Sequence, residues 1–191
     1  MLKNKKVLLI LTSHKDIKIT KHVLHLAQYL NQNNEVHILT SQKEIDNIFL
    51  ENCHKDNIKI LQEKYLIAKF DLGKDYLMIP KITKLLNTNK YNLIHTFDLK
   101  AGFLISLATH AYRLNPTNIR LRLIHTTNNI PYLNLKKIKK YFIKKIFTIT
   151  ISSHDIIITT IPEKIKDLLP NYKLHNPHTV QEIEGVYMKL F

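Results

Sequence analysis

The chain has 191 residues and a formal net charge of +14, with 45% apolar and 23% charged residues. That length and composition suit one ordered domain, burying roughly 70% of the surface its unfolded chain exposes. Gly73, Gly102 and Gly185 are the only glycines and Cys53 the only cysteine, which excludes glycine-rich phosphate loops, the nucleophile elbow, disulfide frameworks and cysteine zinc sites.

In chain order, Val7-Leu-Leu-Ile-Leu11 is a continuous apolar run, as expected of a strand buried on both faces of a parallel sheet. It is too short for a signal-peptide core, and no stretch reaches the roughly 18 apolar residues of a spanning helix. With the cysteine usage, this predicts a cytoplasmic protein. Thr12 to Thr20 reads as a loop. Thr20 then caps a helix with Val23, Leu26, Ala27 and Leu30 on one stripe, ended by Asn31 to Asn34. Glu35 to Thr40 is a second strand, Ser41 caps a helix over Gln42–Glu51, and Asn57 to Leu61 is a third strand. Lys74 to Asn89 reads as helical with a break or restart at Pro80. Tyr91–Thr96 is the fourth strand, Leu99–Arg113 a helix, Arg120–Thr126 the fifth strand and Asn134–Ile149 a basic helix. Asp155–Thr160 is the sixth strand, Pro162 opens a short helix to Leu169, and Tyr172–Val180 holds a last short strand.

Strands alternate with helices about six times, which predicts an α/β doubly wound, mostly parallel sheet. Ligands of such sheets bind beyond the carboxyl ends of the strands. The loops Ser13–Thr20, Phe97–Gly102 and Thr127–Asn134 therefore carry the expected site. The charge is uneven: residues 99–154 hold ten Lys/Arg and no Asp or Glu. A patch of one sign concentrates anionic partners, whether membrane lipid, lipid phosphate, nucleotide or nucleic acid. Nucleic acid ranks last, because the chain has no recognised nucleic-acid motif and the basic stretch shows no repeated aromatic stacking pattern.

Three segments carry a family resemblance. They are Leu11–Leu30, the run Leu93-Ile-His-Thr-Phe-Asp-Leu-Lys-Ala-Gly-Phe-Leu-Ile-Ser-Leu-Ala108, and Leu123-Ile-His-Thr-Thr-Asn-Asn-Ile-Pro-Tyr132. In register, they resemble the N-terminal, acceptor-side domain of glycosyltransferase family 4. The most specific element is His95-Thr96-x-x-x-Lys100-Ala101-Gly102. The resemblance implies a Rossmann-like half of a GT-B fold over residues 1–180, with 181–191 a tail or the start of an interdomain linker. It implies hexosyl transfer in cell-surface polysaccharide or lipid-linked glycan synthesis, with a lipid-linked or saccharide acceptor and neither metal nor cofactor. The nucleotide sugar would come from a donor domain elsewhere, on further polypeptide or on a partner chain, and the enzyme would sit peripherally on the inner face of the cytoplasmic membrane. The sequence also departs from the family. Ile17-Lys18-Ile19-Thr20 stands where the family has Gly-Gly followed by Ala-Glu, Phe97 where it has a second His, and Asn128-Asn129 where it has His-Gly. These departures favour an alternative, a non-catalytic relative serving as a membrane or partner adaptor.

The resemblance places Ser13, Lys18, His95, Lys100, Gly102 and His125 at the acceptor, with Asp98 and Asn128 the catalytic candidates. Each has a plain structural reading beside it. His95 and His125 can be hydrogen-bonded core histidines, Asp98 a helix cap and Lys100 a solvated lysine. The helix 134–149 sets Leu135, Ile138, Phe142, Ile146 and Ile149 on one stripe, with Lys136, Lys137, Lys139, Lys140, Lys144 and Lys145 mostly off it. Those lysines are either a solvated face or the contact with an anionic membrane, worth roughly 1 kcal/mol each near the surface. His22 and His25 share a helix face, but no carboxylate at ligand spacing completes a metal site.

Overall fold

A computed structural model describes residues 2–114, 121–127, 137–159, 174–175 and 180–188. The strands are β1 (Lys6–Leu11), β2 (Glu35–Ser41), β3 (Lys59–Glu63), β4 (Leu93–Thr96), β5 (Arg122–Thr127), β6 (Ile156–Thr159) and β7 (Leu174–His175). The helices are α1 (Ile17–Asn31), α2 (Asn47–Lys55), α3 (Leu72–Asn89), α4 (Leu99–Arg113), α5 (Lys137–Ser153) and α6 (Val180–Met188). All described strand pairs are parallel, in one sheet of order β3-β2-β1-β4-β5-β6-β7. This is the doubly wound arrangement expected from the alternation of elements.

Apolar strands form the centre because both faces of the sheet are covered. Val7, Leu9 and Leu11 point into a core shared with α1, α2 and α6, while Leu8 and Ile10 point into one shared with α3 and α4. Val7 through Ile10 have no exposed surface, which explains the unbroken apolar run.

The starts of α1 and α2 differ from the sequence expectation, and in both an aspartate is the cap. α1 begins at Ile17, capped by Asp16, whose Oδ1 accepts from the Lys18 and Ile19 amides at 3.0 and 3.2 Å. Thr20, the expected cap, instead donates its hydroxyl to the Asp16 carbonyl. α2 is likewise capped by Asp46 rather than Ser41, which ends β2. α3 runs unbroken through Pro80. That residue is exposed, so water can serve the carbonyl its missing N–H leaves free. The expected helix at 162–169 lies outside the described residues. The segment after 180, read from sequence as a tail or the start of an interdomain linker, is helical at Val180–Met188, and Ile183, Val186 and Tyr187 bury into the α1 side of the sheet. Among the described residues, no helix is long and apolar enough to cross a membrane.

Candidate functional site

The connections β1 to β2 to β3 run outward in one direction, and β4 returns to the other side of β1. At that reversal the loops leaving β1 and β4 diverge, and a crevice opens beyond the carboxyl ends of the strands. A cleft of about 410 Å³ lies there. Thr12, Ser13, Lys15, Asp16 and Ile19 form one wall. Phe97 to Lys100 and the β5 residues Thr126 and Thr127 form the floor. Ala68 and Phe70, from the loop before α3, form the opposite wall.

Asp98 organises the cleft. It caps α4 by accepting from the Ala101 amide at 2.8 Å, and its other oxygen accepts from the Thr12 amide at 2.7 Å. One carboxylate thus fixes the loop after β1 to the first turn of α4. Desolvation raises its pKa above the ordinary value, and the hydrogen bonds from the Thr12 and Ala101 amides oppose the rise. The capping reading of this residue therefore holds, and the same carboxylate also borders the cleft.

Lys100 borders the cleft, but its charge is turned inward. Its side chain is 2% exposed, with Nζ 2.5 Å from Asp75 Oδ1, donating at 2.6 Å to the Lys69 carbonyl and lying 5.7 Å from the Phe70 ring centroid. It is neither solvated nor free for an anion. It ties α4 to α3 and holds the loop carrying Phe70 against the cleft. The sequence offered no sign of this partner, because Asp75 lies 25 residues away.

His95 and His125 sit on neighbouring strands but face opposite sides of the sheet. Thr96 is the register partner of His125, so His95, one residue earlier, points the other way. Neither has exposed surface. His95 shares hydrogen bonds with the Tyr187 hydroxyl at 2.5 Å and the Thr126 hydroxyl at 2.6 Å. His125 shares one with Thr96 Oγ1 at 2.8 Å, and its ring stands 5.3 Å from that of His154. Burial holds His95 and His125 well below the ordinary imidazole pKa and lowers His154 to about 4. These are the core histidines of the plain reading, behind the cleft rather than in it. His95 still acts on the cleft, by fixing the rotamer of Thr126.

Gly102 has a packing role too. A Cβ there would overlap Thr150 Cγ2 and stand 2.9 Å from His125 Nδ1. The glycine lets α4 press against α5 and β5, and does not open backbone to a ligand.

Ser13 is brought to the cleft as expected. Lys18 is exposed on α1 outside its lining, and Asn128 lies outside the described residues. Lys15, Asp16 and Thr127 fall in the loops expected to carry the site, although none was singled out there, and sequence reasoning missed Thr12 and Thr126. Their position at the strand ends is the signal that marks those two. Of the basic face, Lys144 and Lys145 are exposed beside Tyr141, which is 72% exposed, while Lys136 lies outside the described residues. Lys137, Lys139 and Lys140 fall within α5. The helix buries Ile146, Phe147 and Ile151, a face rotated from the expected stripe. Among the described residues, no three His, Cys, Asp or Glu side chains are grouped to hold a metal.

The sequence profile of Glycosyltransferase Family 4 matches residues 19–180. No individual curated protein matches the chain. Among solved structures, the UDP-N-acetylglucosamine 2-epimerase of Rickettsia bellii superposes with a TM-score of 0.62 at 13% identity, covering 97% of this chain and 48% of that one. A lipopolysaccharide outer core galactosyltransferase gives 0.58 at 10% identity, covering 86% and 42%. A sucrose-phosphate synthase chain from Thermosynechococcus elongatus gives 0.61 at 14% identity, covering 98% and 99%. At these identities the likeness is one of fold. The chain spans less than half the length of the epimerase and the galactosyltransferase.

Proposed function

We propose that this chain, which belongs to Glycosyltransferase Family 4, is the acceptor-binding half of a glycosyltransferase acting in cell-surface polysaccharide or lipid-linked glycan synthesis. The observation that carries this reading is the cleft at the topological switch point, lined by hydroxyls and carboxylates that suit hydroxylated ligands. Ser13, Thr126 and Thr127 face the acceptor, and Asp98 keeps the loop after β1 in place. His95 supports Thr126 from behind the floor. The nucleotide sugar is presented by a donor domain, carried on further polypeptide or on a partner chain. The test is calorimetry of this chain with a panel of nucleotide sugars. Expected affinities are weaker than about 10 μM, or roughly −7 kcal/mol. Tighter binding would put the donor in this cleft and overturn the assignment.

A second reading, a non-catalytic relative acting as an adaptor, is favoured by one observation. Asp98 is held by the Thr12, Lys100 and Ala101 amides and the Thr12 hydroxyl, and His95 and His125 stay out of the cleft. Transfer activity on adding a donor domain would exclude it.

Either form works at a membrane in this proposal. Exposed Lys144 and Lys145 flank exposed Tyr141 on α5, in a stretch without acidic residues. The chain should bind anionic vesicles and release as salt rises, since the attraction is screened within about 8–10 Å. Changing Lys136, Lys137, Lys139 and Lys140 to Gln should remove most of the binding. Equal binding to neutral vesicles would refute an electrostatic attachment.

A further inference from the structure

The chain carries +14 overall, yet the described lining of its cleft holds two carboxylates, Asp16 and Asp98, against one outward ammonium, Lys15. Lys100 adds no free charge, since its Nζ is engaged by Asp75 and the Lys69 carbonyl. The same two carboxylates close both helix N-termini that open on the cleft. Asp16 takes the Lys18 and Ile19 amides at the start of α1, and Asp98 takes the Ala101 amide at the start of α4. A helix N-terminus attracts an anion through its unpaired N–H groups and its dipole. Here internal carboxylates already hold those donors, and their charge repels a second anion.

We propose that Asp16 and Asp98 make this cleft discriminate against phosphate and carboxylate groups and seat an uncharged, polyhydroxylated ring. This rests on reading the cleft as the acceptor site. Asp98 already accepts from the Thr12 and Ala101 amides, the Thr12 hydroxyl and the Lys100 amide, whereas Asp16 has acceptor capacity beyond its two amide bonds. A neutral hydroxyl can donate to Asp16 without the charge repulsion that an anion meets there. Any phosphate of a lipid-linked acceptor then lies outside the cleft, and only the sugar enters.

The test tracks backbone amide NMR signals of residues 12–19 and 98–101 during titration with inorganic phosphate and, separately, with methyl glucoside. The proteins are the wild-type chain and Asp16→Ser, which keeps a capping oxygen and removes the charge. Phosphate is expected to bind Asp16→Ser at least tenfold more tightly than wild type, a change within the range of one unit charge removed at about 4 Å. Equal phosphate affinity in the two proteins would overturn the proposal. So would a wild-type chain that binds phosphate more tightly than methyl glucoside. A gain of phosphate binding in Asp16→Ser, with no response of either protein to methyl glucoside, would uphold the exclusion of anions while removing support for the acceptor reading itself. Circular dichroism and the wild-type comparison keep the result readable if the variant loosens α1.

Discussion

Acidification from pH 7 toward pH 4 is expected to strip most of the stability from this domain, well before its carboxylates are fully protonated. His154 is 5% exposed, and burial lowers its pKa from 6.5 to about 4. Between those values the unfolded chain binds a proton that the folded chain refuses. Stability is therefore complete above pH 6.5 and falls as the pH drops toward 4. The shift of His154 alone corresponds to on the order of 3 kcal/mol, against about 5–15 kcal/mol for a whole domain. His95 and His125, also buried and neutral, add to the loss in the same direction. Urea denaturation at pH 7, 6, 5 and 4.5 measures the slope. His154→Gln should flatten it by removing one titrating group. A stability independent of pH between 6.5 and 5 would contradict the burial of all three.

Replacing Lys100 by Met is the substitution expected to cost most. It leaves Asp75, 5% exposed, without its cation. Breaking one side of a buried ion pair costs about 3–5 kcal/mol, because the remaining charge stays desolvated. The double variant Lys100→Met, Asp75→Leu should recover most of that, since the cost lies in the stranded charge. The effect should be local as well as global. Losing the Nζ bond to the Lys69 carbonyl frees residues 64–71, and limited proteolysis should cut there first. A loss below about 1 kcal/mol would mean that the pair is exchanged for water in solution, as exposed pairs are.

The order of elements was legible because its causes are local. Apolar runs such as Val7–Leu11 can satisfy their neighbours only inside a parallel sheet, and Leu99–Arg113 was delimited in sequence as the structure delimits it. The position of the cleft was legible too, since alternating parallel strands and helices put loops at the carboxyl edge. The family resemblance lay in the same segments, and residues 19–180 match that family.

What the sequence by itself determined, then, is the wound sheet and the end of it where the cleft lies. Only tertiary structure decided which side chains reach that end. Asp16 and Thr20 are both good caps by type, but Asp16 holds the extended backbone and the two amides of a cap, while Thr20 lies inside the helix and donates back to the Asp16 carbonyl. His95 and His125 look equivalent in sequence, each before a threonine, but the parallel register turns them to opposite faces. Lys100 has the type of a solvated or anion-binding residue. A carboxylate 25 residues earlier draws it inside, where solvation is lost and a partner becomes obligatory. Pairings of that range depend on which helices pack together, and no local pattern records it.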